Sequence, residues 1–224
     1  LWFGTGEGIE RYDREAGALE VWKTVKADGV AVNVRAIAED GDYLWLGTEG
    51  GGLQRLDRAS GVIERVVLPD RDAEAVYTLH VDTYDRLWIG TDRGLRCRWF
   101  DESSQRICVE TYTKEDGLSF DSIAGLLPDS SGAIWASTSS GLNRIRASKP
   151  DGCVRPTLDV HRYGRDDGLA TELFYVAPKY VALDGRIFLG GDQGYVSFDP
   201  LAIHDNPIPP EVALTNFQLF NAPL

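Results

Sequence analysis

Apolar positions along this chain alternate in short runs, and one such run returns five times. Its copies are Leu1-Trp2-Phe3-Gly4-Thr5, Leu44-Trp45-Leu46-Gly47-Thr48, Leu87-Trp88-Ile89-Gly90-Thr91, Ile134-Trp135-Ala136-Ser137-Thr138 and Ile187-Phe188-Leu189-Gly190-Gly191. The aromatic positions 2, 45, 88, 135 and 188 lie 43, 43, 47 and 53 residues apart. A fixed period of this size marks a propeller or a solenoid, in which no unit buries its own apolar face and each stacks on its neighbours. In Leu87-Trp88-Ile89 the Leu and Ile point to one face and the Trp to the other. Both faces are apolar, so the strand should be covered on both sides. No useful length of helical periodicity appears.

Four short strands can be marked around the third copy, over 75–81, 86–91, 95–100 and 106–113. Turns rich in Asp, Gly and Ser separate them at 82–85, 92–94 and 101–105. Four strands in roughly 40–45 residues is one propeller blade. The second unit repeats this over 34–67, and the fourth over 122–163 with an insertion near 148–155. The first unit opens on its second strand and lacks the inner one. The last has inner, second and third strands through Phe198, with an outer strand expected at 212–219 after a connection containing Pro207, Pro209 and Pro210. The expected architecture is all-β: a β-propeller fragment of about five four-stranded blades, near 1–30, 31–70, 71–117, 118–168 and 169–220, the first incomplete. Residues 1–206 are blades; 207–224 read as the last outer strand and the passage into a further, truncated all-β domain.

Composition narrows the partners. The chain has 224 residues, 35 Asp and Glu against 23 Lys and Arg, and a net charge of −12. That argues against nucleic acid or an anionic membrane surface as partner. No apolar run of about 18 residues is present, so no helix here is expected to span a bilayer, and no membrane contact by this segment is expected. The chain starts inside a strand and has no Met, and it reads as a fragment of a longer protein.

Candidate chemistry is sparse. Cys97 and Cys108 fall on the third and fourth strands of one blade, and they face each other if the turn between them is symmetric. A cross-strand disulfide is then geometrically open and would fit an oxidising compartment. The other reading is two unpaired, partly buried thiols, and Cys153 is the odd one out. The cysteine spacing fits no zinc motif. His80, His161 and His204 are scattered over three units and read as structural histidines. No nucleophile elbow appears, and the recurrent glycines of Glu49-Gly50-Gly51-Gly52 are turn glycines rather than a phosphate cradle. No metal and no cofactor are expected.

Two further patterns recur. Asp129-Ser130-Ser131-Gly132-Ala133-Ile134-Trp135 resembles the Asp-box turn of sialidase-like propellers, although Asp129 precedes the aromatic by six residues instead of five, as Asp82 does. In those enzymes the box is structural, and their catalytic Arg cluster and Tyr–Glu pair have no counterpart that can be located here. The other pattern links blades: Thr113-Lys114-Glu115-Asp116-Gly117-Leu118, then Gly164-Arg165-Asp166-Asp167-Gly168-Leu169, with a weaker copy at Lys26-Ala27-Asp28-Gly29-Val30. Asp-Gly turns the chain after an outer strand and sends it inward as the next inner strand. These loops should ring one end of the central channel, where a rigid scaffold can present binding residues.

Asp-Gly-Leu, an inner strand, then Leu-Trp-Ile-Gly-Thr and Gly-Leu together resemble the two-component regulator propeller repeat. Residues 113–145 are a particularly close copy. Gly190-Gly191-Asp192-Gln193-Gly194-Tyr195 through Phe198-Asp199-Pro200 resembles that family's last blade, and Pro209-Pro210-Glu211-Val212 onward resembles the passage into its Tyr-rich immunoglobulin-like domain. Departures are Ala136-Ser137 in blade four, Phe188 for Trp in blade five, a link at 68–73 without Asp-Gly-Leu, and longer outer hairpins in blades three and four. The resemblance implies the periplasmic, extracytoplasmic input region of a membrane-bound bacterial receptor, with more blades than five. A transmembrane helix then leads to a histidine kinase, a hybrid kinase–regulator or a diguanylate cyclase. It implies a small-molecule or oligosaccharide ligand, a homodimeric full-length receptor and no catalysis by this segment.

Candidate ligand-binding residues at the starts of the inner strands are Asn33, Arg35, Tyr77, Asp121, Ser122, Glu172 and Tyr175. Aromatic faces beside carboxylates and amides suit a sugar; the competing reading of each is packing or loop solvation. Two other functions compete with ligand sensing: a structural or dimerising segment that transmits a signal, and, less favoured, a sialidase- or lyase-type enzyme.

Overall fold

The computed structural model describes residues 1–23, 31–68, 75–203, 218–219 and 222–223. Five antiparallel sheets follow one another in propeller order. The first holds β1 (Trp2–Gly4), β2 (Gly8–Asp13) and β3 (Ala18–Lys23). The second holds β4 (Asn33–Asp40), β5 (Tyr43–Glu49), β6 (Gly52–Asp57) and β7 (Ile63–Val66). The third holds β8 (Val76–Val81), β9 (Leu87–Thr91), β10 (Gly94–Asp101) and β11 (Arg106–Tyr112). The fourth holds β12 (Ile123–Pro128), β13 (Ile134–Thr138), β14 (Gly141–Ala147) and β15 (Leu158–Tyr163). The fifth holds β16 (Phe174–Val181), β17 (Ile187–Gly191) and β18 (Gly194–Phe198). The inner strands β4, β8, β12 and β16 run side by side. As expected, the first sheet begins on its second strand. Most of the outer strand expected at 212–219 lies outside the described residues. Its last two, in β19 (Gln218–Leu219), pair instead with β20 (Ala222–Pro223).

The repeated phrase sets the packing. Trp45 lies in the core between sheets two and three, with Leu79, Leu87 and Ile89 of the next sheet. Trp88 lies in the core between sheets three and four, with Ile134 and Ala136, and Trp135 in the one beyond, with Ile187 and Leu189. The aromatic therefore faces the following blade, and its two flanking residues face the preceding one. Each of these three indoles is at most 2% exposed.

The glycine of the phrase has a steric cause. A Cβ on Gly90 would lie against Thr78 Cγ2 and 2.9 Å from Ile123 Cγ2. In blade four the bulk is exchanged: Ser137 replaces the glycine, and Gly125 lies opposite it on the inner strand. This accounts for the departure at Ala136-Ser137 without disturbing the sheet. Gly90→Ala should cost about 1–3 kcal/mol through overpacking. Urea unfolding checks it against Gly6→Ala, whose Cβ would meet nothing within 4 Å.

Each complete sheet also ties its central indole to an aspartate. Trp45 Nε1 donates to Asp40 Oδ2 at 2.8 Å, Trp88 Nε1 to Asp82 Oδ2 at 2.7 Å and Trp135 Nε1 to Asp129 Oδ2 at 2.8 Å. A buried indole N–H needs such an acceptor. The same carboxylates close the turns: Asp129 Oδ1 accepts from the amides of Ser131 and Ala133, and Asp82 Oδ1 from those of Tyr84 and Arg86. The likeness to an Asp-box thus has a structural role here. Burial pushes the Asp129 carboxyl up, but bonds from the Ser131 hydroxyl, the Trp135 indole and the two amides outweigh it and hold it below the ordinary value. A depressed folded-state pKa gives stability present above the unfolded pKa and lost as pH falls through the folded one. Asp129→Asn should therefore flatten the loss of stability below about pH 4. Urea midpoints measured on both proteins from neutral to acid pH check this.

The disulfide differs from the expected one. Cys108 pairs with Cys153, with Cα atoms 5.5 Å apart, and Cys97 is free and buried. The reason is register: Cys97 lies opposite Glu110, and Cys108 opposite Trp99, so the two cysteines miss each other by two residues. The insertion after β14 folds back over blade three to present Cys153. Arg86 Nη1 donates to Ser148 O at 2.7 Å, Trp99 Nε1 to Gly152 O at 2.8 Å and Tyr112 Oη to Pro156 O at 2.7 Å. Arg155 Nη2 reaches Asp116 at 2.8 Å. The insertion is thus a strap across two blades. Burial pushes the Cys97 thiol up to about 12, which leaves it unreactive.

Candidate functional site

The linking motif and the inner-strand starts gather at one rim. Each of the two described copies of the motif forms a 3-10 turn, at Lys114–Asp116 and Arg165–Asp167. Asp116 Oδ2 accepts from the Thr113 amide, and Asp167 Oδ2 from the Gly164 amide, both at 2.9 Å. The weaker copy at 26–30 lies outside the described residues.

Two expected ligand residues prove to hold these turns. Asp121 Oδ1 accepts from the Lys114 amide at 2.8 Å, and Glu172 Oε1 from the Arg165 amide at 2.9 Å. Both carboxylates occupy the same place in successive links. Asn33 opens β4 opposite Glu49 and is half-buried, as is Ser122 just before β12.

The structure brings Arg35 and Tyr77 together. Arg35 forms a two-nitrogen contact with Glu49 Oε2, at 2.9 Å from Nε and 2.5 Å from Nη2. Glu49 bridges to Ala75 at the start of the next inner strand. Burial, then the negative charges of Asp92 and Glu49, push the half-buried Tyr77 phenol up, with Arg35 opposing. Arg35, Glu49, Tyr77 and Asp92 are thus coupled electrostatically across blades two and three. The sequence reading omits Glu49 and Asp92. The signal for them is positional: each directly follows the Thr of the repeated phrase.

Glu172 and Tyr175 belong to a second group, on blade five. Tyr175 is 52% exposed and projects from an irregular stretch of β16 between Phe174 and Lys179. Lys179, also omitted, is on the same strand; its Nζ donates to Val176 O at 2.8 Å.

Of the histidines, burial pushes His80 down, and the His161 ring lies tilted against Tyr163 with centroids 4.7 Å apart, both within the sheets; His204 lies outside the described residues. A cavity of about 510 Å³ between sheets four and five is lined by Trp135, His161, Tyr163 and Phe198. At the corresponding place between sheets three and four, Leu158 and Val160 of the outer strand β15 pack on the core. The cavity therefore lies where a fourth strand of blade five would pack. Among the described residues no cluster of His, Cys, Asp and Glu could hold a metal ion, and no helix is long and apolar enough to cross a membrane.

No family model matches the chain. Histidine kinase P4 of Formosa agariphila is 25% identical over an alignment of 232 positions that covers 99% of this chain and 16% of that protein. Among solved structures, the extracellular domain of a protein described as a hybrid two-component system of B. thetaiotaomicron superposes with a TM-score of 0.72 at 22% identity, over 100% of this chain and 30% of that one. Virginiamycin B lyase from Staphylococcus aureus superposes with a TM-score of 0.56 at 15% identity, over 87% of this chain and 63% of that one. At these identities the structural likenesses establish a shared propeller fold.

Proposed function

We propose that this chain is a non-catalytic, extracytoplasmic ligand-sensing segment of a membrane-bound bacterial signalling receptor of the histidine kinase type. Its ligand is a small molecule, in the first place an oligosaccharide, held at the rim. The observation that carries this reading is the Arg35–Glu49 ion pair on blade two, with the half-buried Tyr77 phenol of blade three within the field of that pair and of Asp92. Hydroxyl-rich ligands are recognised by such pairings of a ring face with charged hydrogen-bonding groups. The chain's likeness to Histidine kinase P4 and to the extracellular domain of a two-component system supports the receptor context. The Cys108–Cys153 disulfide supports an oxidising compartment such as the periplasm.

Thermal unfolding of the 224-residue chain against a library of oligosaccharides and small metabolites tests the reading. A ligand at ~100 times its dissociation constant adds about 2.7 kcal/mol. A dose-dependent rise that Arg35→Ala and Tyr77→Ala abolish supports sensing at the rim; a flat response across the library contradicts it.

Phe3, Leu19 and Val21 are exposed on one face of the first sheet, the face that in the later blades packs on the preceding blade.

A further inference from the structure

The inner strands align residue by residue through their pairing with the repeated phrase. Ile37 pairs with Leu46, Leu79 with Ile89, Leu126 with Ala136, and Lys179 with Leu189. A lysine in blade five therefore stands where three other blades carry Ile or Leu. Leu79 and Leu126 are 9% and 3% exposed and belong to the cores facing the preceding blade. Lys179 points the same way, and its Cδ would lie 3.0 Å from a Cβ on Gly125 of β12. The glycine that replaces bulk in blade four thus leaves room for the lysine stem.

An ammonium has three donors. Among the described residues the Lys179 Nζ has one polar contact, the Val176 carbonyl. Burial pushes the amine down to about 8, and no carboxylate counters that. Ser137 Oγ lies beside the same point on Gly125, is 1% exposed and has no hydrogen-bond partner among the described residues.

The strand is also distorted here. In blades two, three and four the bulge sets two steps of the inner strand against one of its neighbour, as from Val76 to Thr78 against Thr91 to Gly90. In blade five it runs from Phe174 to Lys179 against Gly191 to Leu189. Bulges are frequent at sheet edges and next to active sites, where they re-aim side chains. This one presents Tyr175 at the surface and the carbonyl that receives Lys179.

We propose that Lys179 and the enlarged bulge of β16 bind a carboxylate carried on the ligand, so that the segment recognises an acidic oligosaccharide, one containing uronic acid. The inference rests on the rim reading above and specifies its ligand class. The carboxylate supplies the counter-charge and the acceptors that the ammonium lacks, and the exposed Tyr175 ring offers a face to the sugar.

Titration calorimetry of the 224-residue chain with tri-galacturonate and with neutral galactotriose tests it. Tri-galacturonate should bind, with affinity that falls as salt rises. Lys179→Met should weaken it at least about tenfold, which corresponds to ~1.4 kcal/mol. Lys179→Arg should retain part of the affinity, and galactotriose binding should not respond to either variant. Tri-galacturonate should also raise the titration midpoint of the Lys179 13Cε resonance in the unaltered chain, a readout that needs no variant to fold. Unchanged tri-galacturonate affinity in Lys179→Met, or an unmoved midpoint, overturns the inference. Binding of galactotriose without tri-galacturonate overturns it and leaves the rim reading standing; binding of neither overturns it, and the library and rim variants decide the rim reading separately.

Discussion

Asp82→Ala is expected to lower the unfolding free energy by about 3–5 kcal/mol, the cost of leaving a buried ion unpaired. Asp82 Oδ2 accepts from Arg86 Nε and from Trp88 Nε1, both at 2.7 Å. The Arg86 and Asp82 side chains are only 4% and 12% exposed. Arg86 also reaches Ser148 O and lies 5.2 Å over the Trp88 ring, so it is fixed on three sides and cannot swing to water. Removing the carboxylate strands a guanidinium and an indole N–H at the junction of blades three and four. The melting temperature should fall by roughly 10 °C for a chain of this length. The double variant Asp82→Ala with Arg86→Met should recover part of the loss, because an apolar replacement of both partners costs less than breaking the pair. A double variant as unstable as the sum of its parts would show that the two residues act independently.

Reduction of Cys108–Cys153 is expected to cost about 2–4 kcal/mol. The bond closes a separation of 45 residues, for which chain entropy alone gives about 4 kcal/mol as an upper figure. Its contribution reaches past the loop it closes. The strap it secures carries the acceptors for Arg86, Trp99 and Tyr112. Melting with and without reductant measures the effect, and Cys108→Ser with Cys153→Ser should be indifferent to reductant. Cys97→Ala should keep the full response to reductant. Loss of that response in Cys97→Ala would show that Cys97 holds the bond instead.

The fold is legible in the chain because the phrase carries its packing with it. An aromatic flanked by aliphatics, a glycine and a threonine state which face meets which neighbour, and Thr48, Thr91 and Thr138 each donate to the carbonyl of the glycine that opens the next strand, at 2.7, 2.8 and 2.9 Å. The cysteine pairing is not legible in the same way. It turns on whether the hairpin centre falls at one place or one residue further along, and on an insertion whose path depends on Arg86 and Trp99 far away in sequence. The candidate site is partly legible. Arg35 and Tyr77 lie on adjoining inner strands. Asp121 and Glu172 look like free carboxylates in the sequence because the amides they bind, seven residues earlier, become acceptor-seeking only when the 3-10 turn forms. Lys179 is hidden until the inner strands are aligned by their pairing. Only then does a lysine in a row of Ile and Leu become visible, together with the glycine that makes space for it.

Hydrogen exchange of the 224-residue chain, with and without a pool of neutral and acidic oligosaccharides, tests the central claim most directly. A sensor that binds at the rim should gain protection at residues 33–35, 49, 75–77 and 92 on blades two and three and at 172–179 on blade five, with the outer strands unchanged. Protection confined to the outer strands or to the exposed face of the first sheet would contradict it.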